Sequence, residues 1–337
     1  MKALYIGQCG KGSTSKMRYD LLQELINSPI ELINISPFIE NSNRVSRSLA
    51  WRYYFGLVPY RINKEIQDFL KTTEKKWDFI WVDKGVFIYP ENLKKLKSRT
   101  RNLVHYTPDT AFFANNSRHF RSGMNIYDWL ITTKSFELAE YSERVSQKKI
   151  LQVSQGYNPN THYPRNSFQE KELAITFIGL CEPNRELLLK SILQDGYKVY
   201  IGGLGWNKFL KKNRENNKLV FLGEKIWDTE YASAISRVSF GIGLLSKKFP
   251  ELHTTRTFEI PACGTCLVTE RNNEIDEFFS DDEIVKYSTT KELLDKLNYF
   301  SRNTSQLEDI TKKGKYRIEK DQRDYKNQLE IILKKLA

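Results

Sequence analysis

The sequence predicts a two-domain α/β protein in which each domain is a doubly wound, mostly parallel sheet. Three observations predict it. Short apolar runs alternate with stripes at helical spacing along the chain, the alternation that builds parallel sheets. A polar stretch rich in turn residues, 155–172, interrupts that pattern near the middle, and the pattern restarts after it. Finally, 337 residues with 40% hydrophobic content supply enough apolar surface for two cores.

The first strand is residues 2–7. It leads into a glycine-containing loop, 8–15, and a helical stripe of Met17, Leu21, Leu22, Leu25 and Ile26 that stops before Pro29. The opening is a strand and not a leader peptide. The loop has neither the phosphate-loop order nor the spacing Gly-x-Gly-x-x-Gly, so Gly10 and Gly12 read as places where a ligand can approach the backbone. Residues 30–35 form the next strand.

Residues 49–61 are aromatic and basic together. Two readings fit: a membrane-surface contact, or helix packing inside the first domain, which is the preferred one. Residues 78–83 and 102–107 are central strands around a helix at 91–97. Residues 127–133 and 150–154 follow, with a helix running through Tyr141 between them. His105 lies within a strand and reads as a packed core residue. Pro108-Asp109-Thr110 follows a strand's C-terminal end, where such sheets place ligands. Asp109 reads either as a site residue or as a turn residue bonding its own backbone. His119, in a polar loop with Arg118 and Arg121, faces either an anionic partner or solvent.

After the polar stretch come strands at 174–179, 198–203 and 219–223, with a helix at 186–194. The apolar run 238–245 is a buried strand, and so is 266–269. A terminal stripe of Tyr325, Leu329, Ile332, Leu333 and Leu336 needs a surface to cover it. The expected bounds are 1–165 for the first domain, 170–312 for the second, and 315–337 for a last helix.

The formal charge of +12 is lopsided. Residues 1–165 carry 25 lysines and arginines against 15 acids, and residues 166–337 carry 28 against 26. The first half therefore suits an anionic partner, unless the charge serves solubility alone. No apolar run is long enough to span a membrane. Four cysteines make no disulfide framework and fit a reducing cytoplasm. Cys263 and Cys266 read as packed residues, and the acidic run 281–283 as solvated. No zinc spacing and no hydrolase motif occurs, so neither metal nor cofactor is expected.

The most informative stretch is 249–270. Glu251 and Glu259 stand with seven residues between them. Between two strands, this stretch reads as a loop entering a helix of about two turns that closes at Gly264. A helix start favours anions. Thr254 or Thr255 is expected to cap it, Arg256 to reach a phosphate, and Glu259 to accept both hydroxyls of a ribose. Phosphate plus diol describes a nucleotide.

The run from His253 to Cys263, His-Thr-Thr-Arg-Thr-Phe-Glu-Ile-Pro-Ala-Cys, resembles the donor-sugar motif of the group-1 glycosyltransferases, most closely their CgeB-like branch. The spacing of Glu251 and Glu259 matches that family's. The resemblance implies the GT-B fold, two Rossmann-like domains facing across a cleft, with the last helix returning to the first domain. It implies metal-independent transfer of a sugar, from a UDP-sugar by preference, to an acceptor hydroxyl in bacterial cell-surface glycan synthesis. Donor contacts then fall to Arg185, Lys247, His253, Thr254, Thr255, Arg256, Thr257 and Glu259, and the turn 223–227 holds the base. Glu251 lies near the sugar or the phosphates. Asp109 is the acceptor-side base if configuration inverts, and orients the sugar if it is retained. Gly10, Gly12, Arg118, His119 and Arg121 lie on the acceptor side. The acceptor is a glycan or a lipid-linked molecule, with a peripheral membrane contact for a cytoplasmic enzyme. Nucleic acid is the less favoured acceptor, and a nucleotide-sugar-binding protein without transfer activity is the other alternative.

Overall fold

A computed structural model describes residues 1–336. The chain forms two compact units. One holds residues 1–154 and the segment from Tyr325 onward. The other is Gln155–Asp324. The divisions thus differ from the expected bounds. The polar stretch after residue 154 belongs to the second unit: the Arg165 amide donates to Ser236 Oγ at 2.7 Å, and a Cβ at Gly264 would lie 2.9 Å from the Pro164 ring. The last helix is Tyr325–Leu336, shorter than the expected 315–337, and Ala337 lies outside the described residues. Residues 315–320 end a separate helix, Thr304–Lys320, of the second unit.

The first unit is a six-stranded parallel sheet of β1 (Ala3–Gly7), β2 (Ile30–Asn34), β3 (Trp77–Asp83), β4 (Thr100–Thr107), β5 (Trp129–Thr132) and β6 (Ile150–Gln152), in the order β2-β1-β3-β4-β5-β6. β3 reads Trp-Asp-Phe-Ile-Trp-Val-Asp and is buried on both faces, as a central parallel strand must be. On one face Ile80 and Val82 pack with Val58, Ile62 and Phe87. On the other, Tyr5, Phe79 and Trp81 pack with Leu21 and Leu22 of the helix Thr14–Ile26 and with Tyr325, Leu329, Ile332 and Leu336 of the last helix. The terminal stripe thereby buries its apolar face in the first unit.

One buried ion pair sits in this core. Arg18 is 0% exposed and grips Asp83 at the end of β3 through Nε (2.8 Å) and Nη2 (3.0 Å). The Tyr5 hydroxyl lies 2.8 Å from Asp83 Oδ2 and 2.9 Å from the Ser15 carbonyl. Burial, then the Asp83 charge, pushes the Tyr5 hydroxyl well above its ordinary range.

His105 in β4 is buried, stacks on Phe120 with centroids 4.3 Å apart, and donates from Nε2 to the Lys84 carbonyl at 2.9 Å. Burial lowers its pKa from 6.5 to about 4. The unfolded chain takes up a proton near 6.5 and the folded unit only near 4. Stability from this residue is therefore complete above that window and falls as the pH drops through it, by up to about 1.4 kcal/mol per pH unit. His105→Gln should flatten the pH dependence of the first unit's urea midpoint between those limits. An unaltered slope would place the dependence on other groups.

The packing reading of 49–61 holds for one face only. The segment forms parts of two helices, Arg44–Tyr53 and Leu57–Lys71, joined by Tyr54 and Gly56 at φ 53° and 102°. Ala50, Tyr54, Val58 and Ile62 are buried. Leu49, Trp51, Tyr53, Phe55, Leu57 and Tyr60 are exposed.

The second unit is another six-stranded parallel sheet, ordered β12-β11-β10-β7-β8-β9. Its strands are β7 (Glu172–Ile178), β8 (Val199–Gly202), β9 (Leu219–Gly223), β10 (Val238–Gly243), β11 (Cys266–Glu270) and β12 (Val285–Tyr287). The inner strands β7, β10 and β11 again read as continuous apolar runs. Cys263 and Cys266 are buried and form no disulfide. The acidic run is not simply solvated: Asp281 pairs with Arg271 and Lys286, and Asp282 with Lys313. Among the described residues no helix is long and apolar enough to cross a membrane.

Candidate functional site

The loop after β10 and the helix Arg256–Ala262 occupy the C-terminal side of the second sheet, where parallel sheets hold ligands. That helix has seven residues with Pro261 inside it, so its dipole is short. The capping expectation fails. Thr255 sits at the N-cap with helical angles and makes no side-chain cap. Its hydroxyl instead donates to Glu259 Oε2 at 3.0 Å, one turn on. The Thr257 hydroxyl accepts from the Thr254 amide at 3.2 Å. A cap requires extended backbone angles at the N-cap position, and Thr255, at φ −55° and ψ −36°, lacks them.

The positive charge comes from two arginines. Arg185, in the helix Pro183–Gln194, is buried and donates to the Leu180 carbonyl (3.0 Å) and the Leu244 carbonyl (3.3 Å), and pairs with Glu182 at 3.3 Å. Arg256 donates to the Ile178 carbonyl at 3.2 Å. Both guanidinium groups lie near the Phe177 ring, at 5.5 and 5.6 Å from its centroid. Each keeps a buried Nε without a partner, and so does the buried Thr254 hydroxyl. Burial, then the charge of Arg256, pulls the Arg185 pKa below its ordinary range, while Glu182 and Glu251 oppose this. Glu251 is half-buried, and its Oε2 accepts from the Ser246 amide at 3.4 Å. Two crowded cations with unused donors have the chemistry to take an anion.

Beside them, Glu259 is buried, with Oε2 accepting from the Tyr231 hydroxyl (2.6 Å) and from Thr255. Its Oε1 lies 3.8 Å from His162 Nε2. Burial, then Glu259, drives the Tyr231 hydroxyl well up. Burial lowers the His162 pKa, with Glu259 opposing. The carboxylate is thus partly engaged by its own fold, and a diol would meet Oε1 or displace a partner. Tyr231 and His162 went unnoticed in the sequence. Tyr231 stands in the helix Asp228–Ser236 just past the turn 223–227, and that placement was the one available signal. His162 lies in the polar, turn-rich stretch 155–172, which offered no sign of a site.

Two expected donor residues stand apart from this group. His253 is buried edge-on to Phe258 and Phe278, donates from Nδ1 to Glu274 at 2.5 Å and accepts from the Gln155 amide at 3.3 Å. It holds the loop in place rather than facing a ligand. Lys247 is exposed and pairs with Glu270.

In the first unit the expected residues are also largely engaged. Gly10 packs against its own chain, since a Cβ there would come within 2.6 Å of Glu40 Oε1. Gly12 is required for its φ of 73°. At Gly10 the space of the missing side chain is taken by Glu40 and Ser36. Asp109 lies just past the end of β4 and pairs with Lys84 at 2.6 Å. Desolvation raises its pKa, but Lys84, then Lys134 and Arg18, outweigh this and hold it below the usual range. A carboxylate so held is a poor proton acceptor. Arg118, His119 and Arg121 lie on a short helix, Arg118–Gly123, and not in a loop. His119 donates from Nε2 to the Tyr54 carbonyl at 2.8 Å, while Arg118 and Arg121 are exposed.

With this geometry in view, residues 185–334 match the family model for glycosyl transferase-like proteins. No curated protein matches the sequence. Among solved structures, HepE of Anabaena in complex with UDP and glucose is 14% identical, with a TM-score of 0.67 over 100% of this chain and 99% of that one. Sucrose-phosphate synthase of Thermosynechococcus elongatus is 11% identical, with a TM-score of 0.71 over 100% and 99%. The lipopolysaccharide outer core galactosyltransferase WaaB in its apo form is 13% identical, with a TM-score of 0.57 over 93% and 94%. At these identities the likeness speaks for the fold: two Rossmann-like α/β domains of the GT-B class, the second carrying a stretch of glycosyl transferase-like sequence.

Proposed function

We propose that the protein transfers a sugar from a nucleotide-sugar, UDP-linked by preference, to an acceptor hydroxyl. The observation that carries this is the pairing of Arg185 and Arg256, each with a buried unused Nε, beside the buried carboxylate of Glu259. A departing nucleoside diphosphate gains negative charge as its bond to the sugar breaks, and fixed cations in a desolvated pocket stabilise that charge without a metal. Glu259, oriented by Tyr231 and Thr255, takes the ribose. Glu251 lies toward the sugar. Asp109, paired with Lys84, orients the sugar or acceptor and does not act as base. The preference for UDP leans on HepE, whose solved complexes contain UDP and UDP-glucose. The run His253 to Cys263 supports the CgeB-like branch, and the acceptor is a glycan or lipid-linked molecule of the bacterial surface.

Thermal shift in the presence of EDTA tests the donor site. UDP should raise the melting temperature more than GDP or dTDP. Glu259→Ala strips partners from Tyr231 and Thr255 as well as from the ribose, and should weaken UDP binding by about 1.5–3 kcal/mol, the range for hydrogen bonds to charged groups. Undiminished affinity in that variant would remove Glu259 from the site. UDP binding without release of sugar from any UDP-sugar would leave a binding protein instead of a transferase.

A further inference from the structure

The corner between the helices Arg44–Tyr53 and Leu57–Lys71 has no role in the donor site. Six large apolar side chains there, Leu49, Trp51, Tyr53, Phe55, Leu57 and Tyr60, are 39–62% exposed. Phe55 stands at the tip, between Tyr54 and Gly56 in their positive-φ conformations. A Cβ at Gly56 would meet nothing within 4 Å, so the tip is open. The base of the corner is firm. Ala50, Tyr54, Val58 and Ile62 are buried, and the Tyr54 carbonyl and hydroxyl bond to His119 and to the Ala114 carbonyl.

The charge of this corner is one-sided. Residues 41–64 contain Arg44, Arg47, Arg52, Arg61 and Lys64 and no acid. All five are exposed, and among the described residues none has a carboxylate partner. A two-fold dimer through this surface would set five cations against the same five, which opposes self-association. Aromatic rings interleaved with unpaired arginines instead match the boundary of an anionic bilayer, where rings settle at headgroup depth and guanidinium groups meet phosphates.

We infer that this corner docks the protein on an anionic lipid surface. The inference needs no assumption about sugar transfer, so a failed transferase assay leaves it standing. Co-sedimentation of the full chain with vesicles of phosphatidylcholine, with and without phosphatidylglycerol, tests it. Binding should require phosphatidylglycerol. It should disappear as salt rises from 0.1 to 1 M, where the screening length falls from about 10 to about 3 Å. Arg52→Glu with Arg61→Glu should weaken it at least about thirty-fold, taking about 1 kcal/mol per basic residue near the surface. Tyr53→Ser with Phe55→Ser should weaken it too while leaving the melting temperature unchanged, because both side chains are exposed. Equal binding to neutral vesicles would overturn the inference, as would no binding to anionic ones. Self-association abolished by Phe55→Ser would overturn it in favour of a dimer face.

Discussion

Replacing Asp83 with alanine is expected to destabilise the first unit by about 3–5 kcal/mol, the cost of leaving a buried charge without its partner. The guanidinium of Arg18 is 0% exposed and spends two donors on Asp83, and its remaining Nη1 is already unpartnered. Without the carboxylate it has no route to water. The Tyr5 hydroxyl loses its 2.8 Å neighbour in the same step. Hydrogen exchange of the β1 and β3 amides reads this unit separately from the other. Protection there should collapse in Asp83→Ala, while β7 and β10 stay protected. Removing both charges together, by Arg18→Met with Asp83→Leu, should recover most of the loss, since well-packed apolar groups often replace buried pairs without penalty. A loss under about 1 kcal/mol in Asp83→Ala would mean that Arg18 finds water after all.

Gly203→Ala should have the second large effect, on the other unit. Gly203 follows β8 at φ 111°, a conformation strained for any residue with a side chain, and its Cβ would lie 2.4 Å from the Gly179 carbonyl oxygen. That oxygen belongs to backbone and cannot swing aside. It also accepts from Trp206 Nε1 at 2.9 Å, and the Gly203 amide donates to the Gly223 carbonyl at 2.9 Å. Strain and overpacking together set the expected cost at about 3 kcal/mol or more. The displaced segment runs beside the proposed donor site: a Cβ at Gly179 would be 3.5 Å from Arg256 Nη1. Nucleotide affinity should therefore fall along with the melting temperature. Normal UDP affinity at a temperature where the variant remains folded would show that the loop shifts away from Arg256.

Much of the fold was legible because the signals were local. Continuous apolar runs such as 79–82 and 238–245 suit only strands buried on both faces. The terminal stripe from Tyr325 to Leu336 could be satisfied only by burial. The domain bounds were less legible, since a polar stretch looks like a linker whether or not it packs, and the partners of Pro164 and Arg165 lie far along the chain. In the candidate site, local spacing pointed to Arg256 and Glu259, while Arg185 came with the family resemblance alone. Spacing could not show that Thr255 bonds to Glu259 rather than capping, or that Lys84 already holds Asp109. His162 joins Glu259 through a tertiary contact with no local signature, and Tyr231 had only its place after the turn 223–227 to mark it. The segment 49–61 misled in another way. Its period fits a packed helix, and composition alone does not reveal how much of each ring is covered.

The order of the chain has a consequence for biosynthesis. The first unit is built from two stretches of sequence, with the whole of Gln155–Asp324 between them. When residue 154 leaves the ribosome, the face of the first sheet carrying Tyr5, Phe79 and Trp81 still lacks Tyr325, Leu329, Ile332 and Leu336. The second unit, continuous in sequence, can fold while the first waits with an uncovered apolar surface. A nascent chain stalled before Tyr325 should therefore attract chaperones that recognise exposed hydrophobic surface, and trigger factor or Hsp70 should release it once the last helix has been translated.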